Sequence, residues 1–289
     1  MNTRARLALT ATTALTAALA LALVGCSDSG ATPPADSDED PGLSELITPG
    51  TLTVGLVLPD PPYYIADEDN VPVRGITKDL LDAVADELGV KVEYVPVAWE
   101  GGITGVAAGR YDIFGGSLYD TTERQAAGTF VDFMKEQATL ITTGDRADEF
   151  TSQLDACGMS VATIRGTTDV TYAQALAEQC RAAGKEPLMI TEYPTQQDAE
   201  LALESGRTDF GIQSVPAAEY AVSEGSNRAL VGEPFDGGFY VGSMMNSSKK
   251  ELIDAVLAAM TALYESGKTT EIFADYGIEP AEPGINLQK

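Results

Sequence analysis

The chain has no histidine, which removes a large part of the usual side-chain chemistry. Ser-His-Asp and Cys-His nucleophile systems need an imidazole, and so does His-ligated zinc. Carboxylates, lysine, tyrosine and the hydroxyls of serine and threonine remain, and neither a metal site nor a cofactor is expected. One short segment has the composition of an anion receptor. Gly166-Thr167-Thr168 stands directly before a helix that opens near Asp169, so its amides and hydroxyls sit at a positive helix end. The same residues also make an ordinary N-cap, and the two roles are compatible.

The elements that carry such groups begin with an address. Arg4 and Arg6 precede an uncharged run of mostly Ala and Leu, Leu7 to Gly25, that ends at Leu23-Val24-Gly25-Cys26. That layout is a secretory signal over residues 1–25. A plain membrane-spanning helix is the alternative, but it needs about 20 apolar residues, and this run is shorter and holds four Thr. The ending resembles the bacterial lipobox, so Cys26 is expected to carry lipid and to anchor the protein outside the cytoplasm. Residues 26–43 follow as an acidic tether too poor in large apolar residues to fold alone. Cys157 and Cys180 then lie in an exported body, where a disulfide persists. A bridge between them is expected, with two unpaired buried thiols as the alternative. It would contribute on the order of 3 kcal/mol through loop entropy.

The balance of 18 basic against 44 acidic residues gives a formal charge of −26, which argues against nucleic acid as a partner because phosphate binding needs a basic surface. With 44% hydrophobic residues the body can bury a core. From Thr51 onward short β-branched runs alternate with helical patterns. Strands are expected at 51–58, 91–97, 111–115, 138–143, 159–164, 188–192, 209–213 and 238–244. Helices are expected at 78–88, 169–183 and 195–205, each followed by Gly. A capping box of Ser248 with Glu251 is expected to open a long helix to Ser266. The alternation predicts an α/β fold with mainly parallel sheets.

Five motifs in register, GLVLPDPPYYI from Gly55, GITKDLLDAVADELG from Gly75, WEGGI from Trp99, GRYDIFGGSLYDTTER from Gly109 and RGTT from Arg165, resemble the extracellular solute-binding proteins of family 3, receptors of polar amino-acid ABC importers. The Cys157 and Cys180 pair is similar to that of actinobacterial members. The resemblance implies an α/β, two-lobed periplasmic-binding-protein-like fold of type II with two hinge strands. Lobe 1 would be 44–136 with 239–289, lobe 2 would be 142–236, and the hinges 137–141 and 237–238. It implies a monomer that captures a small polar or zwitterionic carboxylate in the cleft and hands it to permease subunits. A dehydratase-like enzyme on the same scaffold, with Glu100 or Asp60 as acid or base, and an extracellular sensor module are the alternatives.

The resemblance also names residues. Arg124, closing Thr121-Thr122-Glu123-Arg124, would pair with the ligand carboxylate, since a guanidinium presents a planar fork to both oxygens. Gly116, Ser117 and Tyr119 would present main-chain and hydroxyl groups, with Tyr119 partly filling the cleft. Thr167 and Thr168 would contribute at their helix end, and Trp99 and Tyr63 as aromatic walls. Asp60 replaces a common aromatic lid residue and would favour a cationic or hydrogen-bond-donating side chain. Ser214 stands where the family commonly places the acid that holds the ligand ammonium, so that group would need Ser214 and Gln213 with another acid, or would be a modified nitrogen.

Overall fold

A computed structural model describes residues 41–235 and 238–289. The signal segment, Cys26 and nearly all of the expected tether lie outside the described residues, as does Gly237 of the second expected hinge. In chain order the strands are β1 (Thr51–Leu56), β2 (Ile65–Ala66), β3 (Pro72–Arg74), β4 (Lys91–Pro96), β5 (Ile113–Phe114), β6 (Thr129–Glu136), β7 (Ala138–Thr143), β8 (Ser160–Ile164), β9 (Met189–Tyr193), β10 (Phe210–Ser214), β11 (Arg228–Val231), β12 (Phe239–Met245) and β13 (Pro280–Ile285). The helices are α1 (Ile76–Leu88), α2 (Trp99–Ala107), α3 (Thr122–Gln125), α4 (Thr168–Ala182), α5 (Gln196–Glu204), α6 (Val215–Ser223), α7 (Lys250–Glu265) and α8 (Lys268–Ala274). Among the described residues no helix is long and apolar enough to cross a membrane.

Two sheets carry the molecule. The first has the order β13-β6-β12-β5-β1-β4 and the second β11-β7-β10-β8-β9. β1 is buried along nearly its whole length because it lies between parallel partners, β4 and β5, and so is shielded on both edges and both faces. α1 turns Leu80, Leu81 and Val84 inward at helical spacing and ends at Gly89, whose φ of 68° needs no Cβ. In the second sheet β8 pairs in parallel with β9 and β10. Cys157 and Cys180 are bonded, joining the segment before β8 to the last turns of α4.

Three expectations change. The sheets are mixed: β12, β6 and β13 pair antiparallel in the first, and β7 pairs antiparallel with β10 and β11 in the second. The cause is the crossing chain, which leaves one sheet as a strand and enters the other as a strand. β6 still pairs at Glu136, with Phe239, and β7 already pairs at Ala138, with Ser214. Gln137 lies between these two pairings, within the expected 137–141. The Ser248 capping box does not form, because the Ser248 hydroxyl donates to Asn246 Oδ1 at 2.7 Å. α7 is capped from afar instead, by Glu45 Oε2 accepting from the Leu252 N–H at 2.8 Å. The 3-10 turn Pro41–Glu45 thus belongs to the folded body, and the expected tether loses its last three residues to it.

Candidate functional site

The first strand of the body leads into a tight turn, Asp60 to Tyr64, closed by backbone hydrogen bonds in both directions between its ends at 3.2 and 2.8 Å. Gly75, at the start of α1, lies against this turn. Its φ is 140°, and a Cβ there would stand 2.2 Å from the Tyr63 carbonyl oxygen, so only glycine allows α1 to hold Tyr63 in place. The Asp60 carboxylate accepts from the Ser117 N–H and hydroxyl, each at 3.0 Å. Burial pushes this carboxyl up to about 6 against those bonds. Gly116 is required for the same contact: with φ 133°, its Cβ would come within 2.8 Å of Asp60 Oδ2.

Arg124 sits on α3, whose four residues include none that is buried. The Thr121 hydroxyl caps it by accepting from the Arg124 N–H at 3.2 Å. The guanidinium lies 5.3 Å from the Trp99 ring centroid and donates to the Tyr119 carbonyl at 2.8 Å. Partial desolvation of this half-buried side chain lowers its pKa, and Asp169 is the foremost charge acting the other way. Among the described residues no ion pair within 4.0 Å involves Arg124. The fork is thus held by an aromatic face and one carbonyl, while its carboxylate-binding capacity is unspent.

The second sheet brings Gly166, Thr167 and Asp169 to this point. A Cβ on Gly166 would lie 4.0 Å from Trp99 Nε1. Thr167 caps α4, accepting from the Asp169 N–H at 3.3 Å and donating to the Ile164 carbonyl at 2.8 Å. Thr168 is the first residue of α4. Burial pushes the Asp169 carboxyl up to about 7, opposed by Thr167 and by the charge of Arg124.

Beside this group lies a second one built on Glu136, the last residue of β6 and 5% exposed. The buried Tyr63 hydroxyl donates to Glu136 Oε2 and stands 3.1 Å from Ser214 Oγ. Glu136 Oε1 is buried without a hydrogen-bond partner. Burial pushes the carboxyl up to about 8, with the Tyr63 and Tyr119 hydroxyls favouring its charged form and Asp60 and Asp169 opposing it. Tyr119 stacks on Phe239, centroids 5.3 Å apart and planes at 11°. Tyr172 closes on Phe239 edge-on at 5.9 Å.

The structure therefore brings together Arg124, Trp99, Thr167 and Tyr119, and next to them Tyr63, Asp60, Ser117 and Ser214. The Ser214 hydroxyl caps α6, accepting from the Ala217 N–H at 3.3 Å. Gln213 points away from this group, donating to Glu200 at 3.0 Å. Glu100 is exposed in the first turn of α2. Sequence reasoning missed Asp169 and Glu136. The former had a signal, an acid directly after Gly-Thr-Thr, which reads equally as a helix-start acid. A cavity lined by Tyr172, Phe235 and Phe239 among others includes no residue of the Arg124 group.

Residues 52–279 match the model of the bacterial extracellular solute-binding proteins, family 3. The chain belongs to this family. It is 31% identical over 240 residues to the arginine-binding protein ArgT of Corynebacterium glutamicum, covering 80% of this chain and 75% of that protein. The solved structure of an ancestral arginine-binding protein bound to arginine superposes with a TM-score of 0.67 at 26% identity, covering 79% of this chain and 98% of the other. An ancestral amino-acid-binding protein described as a precursor of cyclohexadienyl dehydratase superposes at 0.69 and 26% identity, covering 81% and 98%. The α/β architecture of these type II binding proteins is that of this chain.

Proposed function

We propose that this family member is the lipid-anchored receptor of an ABC importer, a monomer that captures an amino acid or a related zwitterion and delivers it to the permease subunits. The observation that carries this reading is the Arg124 fork, fixed by Trp99 and Tyr119 and left without a carboxylate, with Asp169 in the first turn of α4 as the foremost charge acting on it. A carboxylate on Arg124 and an ammonium toward Asp169 are the two ends of an α-amino acid. Thr167 and Thr168 add hydroxyls at the helix end, and Ser117, Gly116, Asp60, Tyr63 and Ser214 form the opposite wall. Because the two groups belong to different sheets, the ligand stabilises the form in which they meet. The lobes are 44–136 with 239–289 and 142–236, turning about the chain near 137 and near 237–238. Cys26 carries the lipid, and Cys26→Ser releases the protein from the cell envelope into the medium.

A thermal-shift panel of amino acids and betaines on the purified protein tests the receptor role. A ligand at 100 times its Kd stabilises by about 2.7 kcal/mol, which raises the melting point roughly 5 to 11 °C for a chain of this size. Arg124→Ala abolishes the shift; retained affinity in that variant would place the site elsewhere. A second reading is supported by the raised Glu136 carboxyl, a buried acid that holds its proton near neutral pH, and by the resemblance to a dehydratase precursor. A dehydratase would release a new product from the bound carboxylate, detectable by mass spectrometry.

A further inference from the structure

The site holds more carboxylate than one α-amino acid needs. In such a ligand the ammonium is one carbon from the carboxylate, so its acceptor must lie close to Arg124. Asp169 meets that condition, being the foremost acid acting on the guanidinium. Glu136 is not among the foremost charges acting on Arg124. Tyr119 lies between them. Its carbonyl takes the Arg124 N–H at 2.8 Å, while its phenol acts on Glu136. Arg124 is thus met at the carbonyl of Tyr119 and Glu136 at its phenol. Asp60 is beside it, but both Asp60 oxygens are engaged by Ser117. Ser214 Oγ is engaged by Ala217 and Tyr63. The unspent acceptor at that depth is Glu136 Oε1, on a side chain 5% exposed. A buried carboxyl oxygen without a partner stays protonated rather than carry an unpaired charge, and a cationic donor is the partner that lets it ionise.

We propose that Glu136 is the specificity-determining acceptor for a second, side-chain cation, so that the site takes amino acids with a guanidinium or ammonium at the end of a flexible chain in preference to uncharged isosteres. The proposal rests on the receptor reading above. It assigns to a residue of the crossing strand the cation recognition that Ser214 cannot supply.

The proposal has a consequence that a structural role for Glu136 would not have. The groups facing Glu136 are Tyr63, Tyr119, Tyr172, Asp60 and Asp169, none of them a base, so burial leaves the carboxyl protonated up to about pH 8. Seating a cation on it expels that proton, and seating an uncharged isostere does not. The test is calorimetry with L-arginine and L-citrulline in buffers of different ionisation enthalpy, from pH 6 to 8.5. At pH 8.5, where most of that proton is already lost, arginine binds at least roughly tenfold tighter than citrulline, as one charged hydrogen bond implies. Their affinity ratio rises with pH, because terms from the shared α-amino and carboxylate ends cancel. Glu136→Gln removes the preference and the extra proton release. A wild-type ratio near one at pH 8.5, or one flat with pH, overturns the proposal without recourse to a variant, and so does a folded Glu136→Gln protein that keeps the preference. If uncharged amino acids bind tightly and depend on Arg124, only this inference fails. If no amino acid binds the folded protein, the receptor reading fails with it.

Discussion

Arg124 and Trp99 form a unit, since the ring fixes the plane of the fork before a ligand arrives. Trp99→Ala therefore weakens ligand binding by roughly 2- to 30-fold, the range of a partly desolvated cation–π contact, and Trp99→Phe recovers part of it; calorimetry on the three proteins measures this. An unchanged Kd in Trp99→Ala would mean that Tyr119 alone orients the guanidinium. Both residues were legible because their motifs are local: Thr-Thr-Glu-Arg in one stretch, Trp-Glu-Gly-Gly-Ile in another. Glu136 was not. It closes Thr-Phe-Val-Asp-Phe-Met-Lys-Glu, where an acid after Lys reads as a solvated strand end. Its burial comes from Tyr63, 73 positions away, and Tyr119, and no spacing rule connects those three residues. Ser214 was legible as an absence of charge, but its engagement by Tyr63 across 151 positions was not.

The helix that carries Arg124 is too short to hold itself. It is braced by the segment after β13. The Leu287 N–H donates to Asp132 Oδ2 at 2.7 Å, the Gln288 N–H to Asp120 Oδ2 at 3.2 Å, and Gln125 of α3 donates to Asp120 and to the Gln288 carbonyl at 2.8 and 2.9 Å. Deleting Leu287 to Lys289 leaves the two sheets intact but removes these anchors. Loss of the Asp132 bond alone costs about 1 to 3 kcal/mol, roughly 2 to 12 °C in melting point. Ligand affinity falls as well, because α3 is no longer fixed. Normal binding by a truncated protein whose melting point has dropped would show that the brace serves stability alone. The sequence hid this strap for a physical reason. β13 reads Pro-Ala-Glu-Pro-Gly-Ile, a loop by composition, yet it is an edge strand, the one place in a sheet where proline is tolerated. β6 was hidden by Asp132 and Glu136, whose charges interrupt the apolar pattern of a buried strand. Strands without such interruptions, at 51–56, 138–143 and 160–164, were readable to within two residues.

Over the whole molecule, buried carboxyls set the response to pH. Asp60, Asp169, Glu136 and Asp132 are all raised by burial, to about 6, 7, 8 and 8. Each holds its proton in the folded state where the unfolded chain has lost it, so the folded state binds more protons and stability falls as pH rises. The window runs from the ordinary carboxylate range near 4 up to about 8. Asp209, held low by Ser160 and Arg146 against its desolvation, acts oppositely and loses its contribution below the ordinary range. The unliganded protein is therefore most stable near pH 4 to 5, and its melting point declines toward pH 8. A melting series across that range checks the sign, and a rise from pH 5 to 8 would mean that these carboxyls are ionised in the fold. The net charge of −26 adds self-repulsion in the same direction. The strand order carries a consequence for biogenesis. As the chain emerges amino end first, β7 to β11 appear consecutively, and the second sheet can close as soon as Val231 is out. β6 has to wait, because both of its neighbours, β12 and β13, are still to come. Until then it presents two bare strand edges, a form prone to pair with a stranger. A holdase that shields residues 129–136 would therefore benefit this chain most during the interval between the completion of its two sheets.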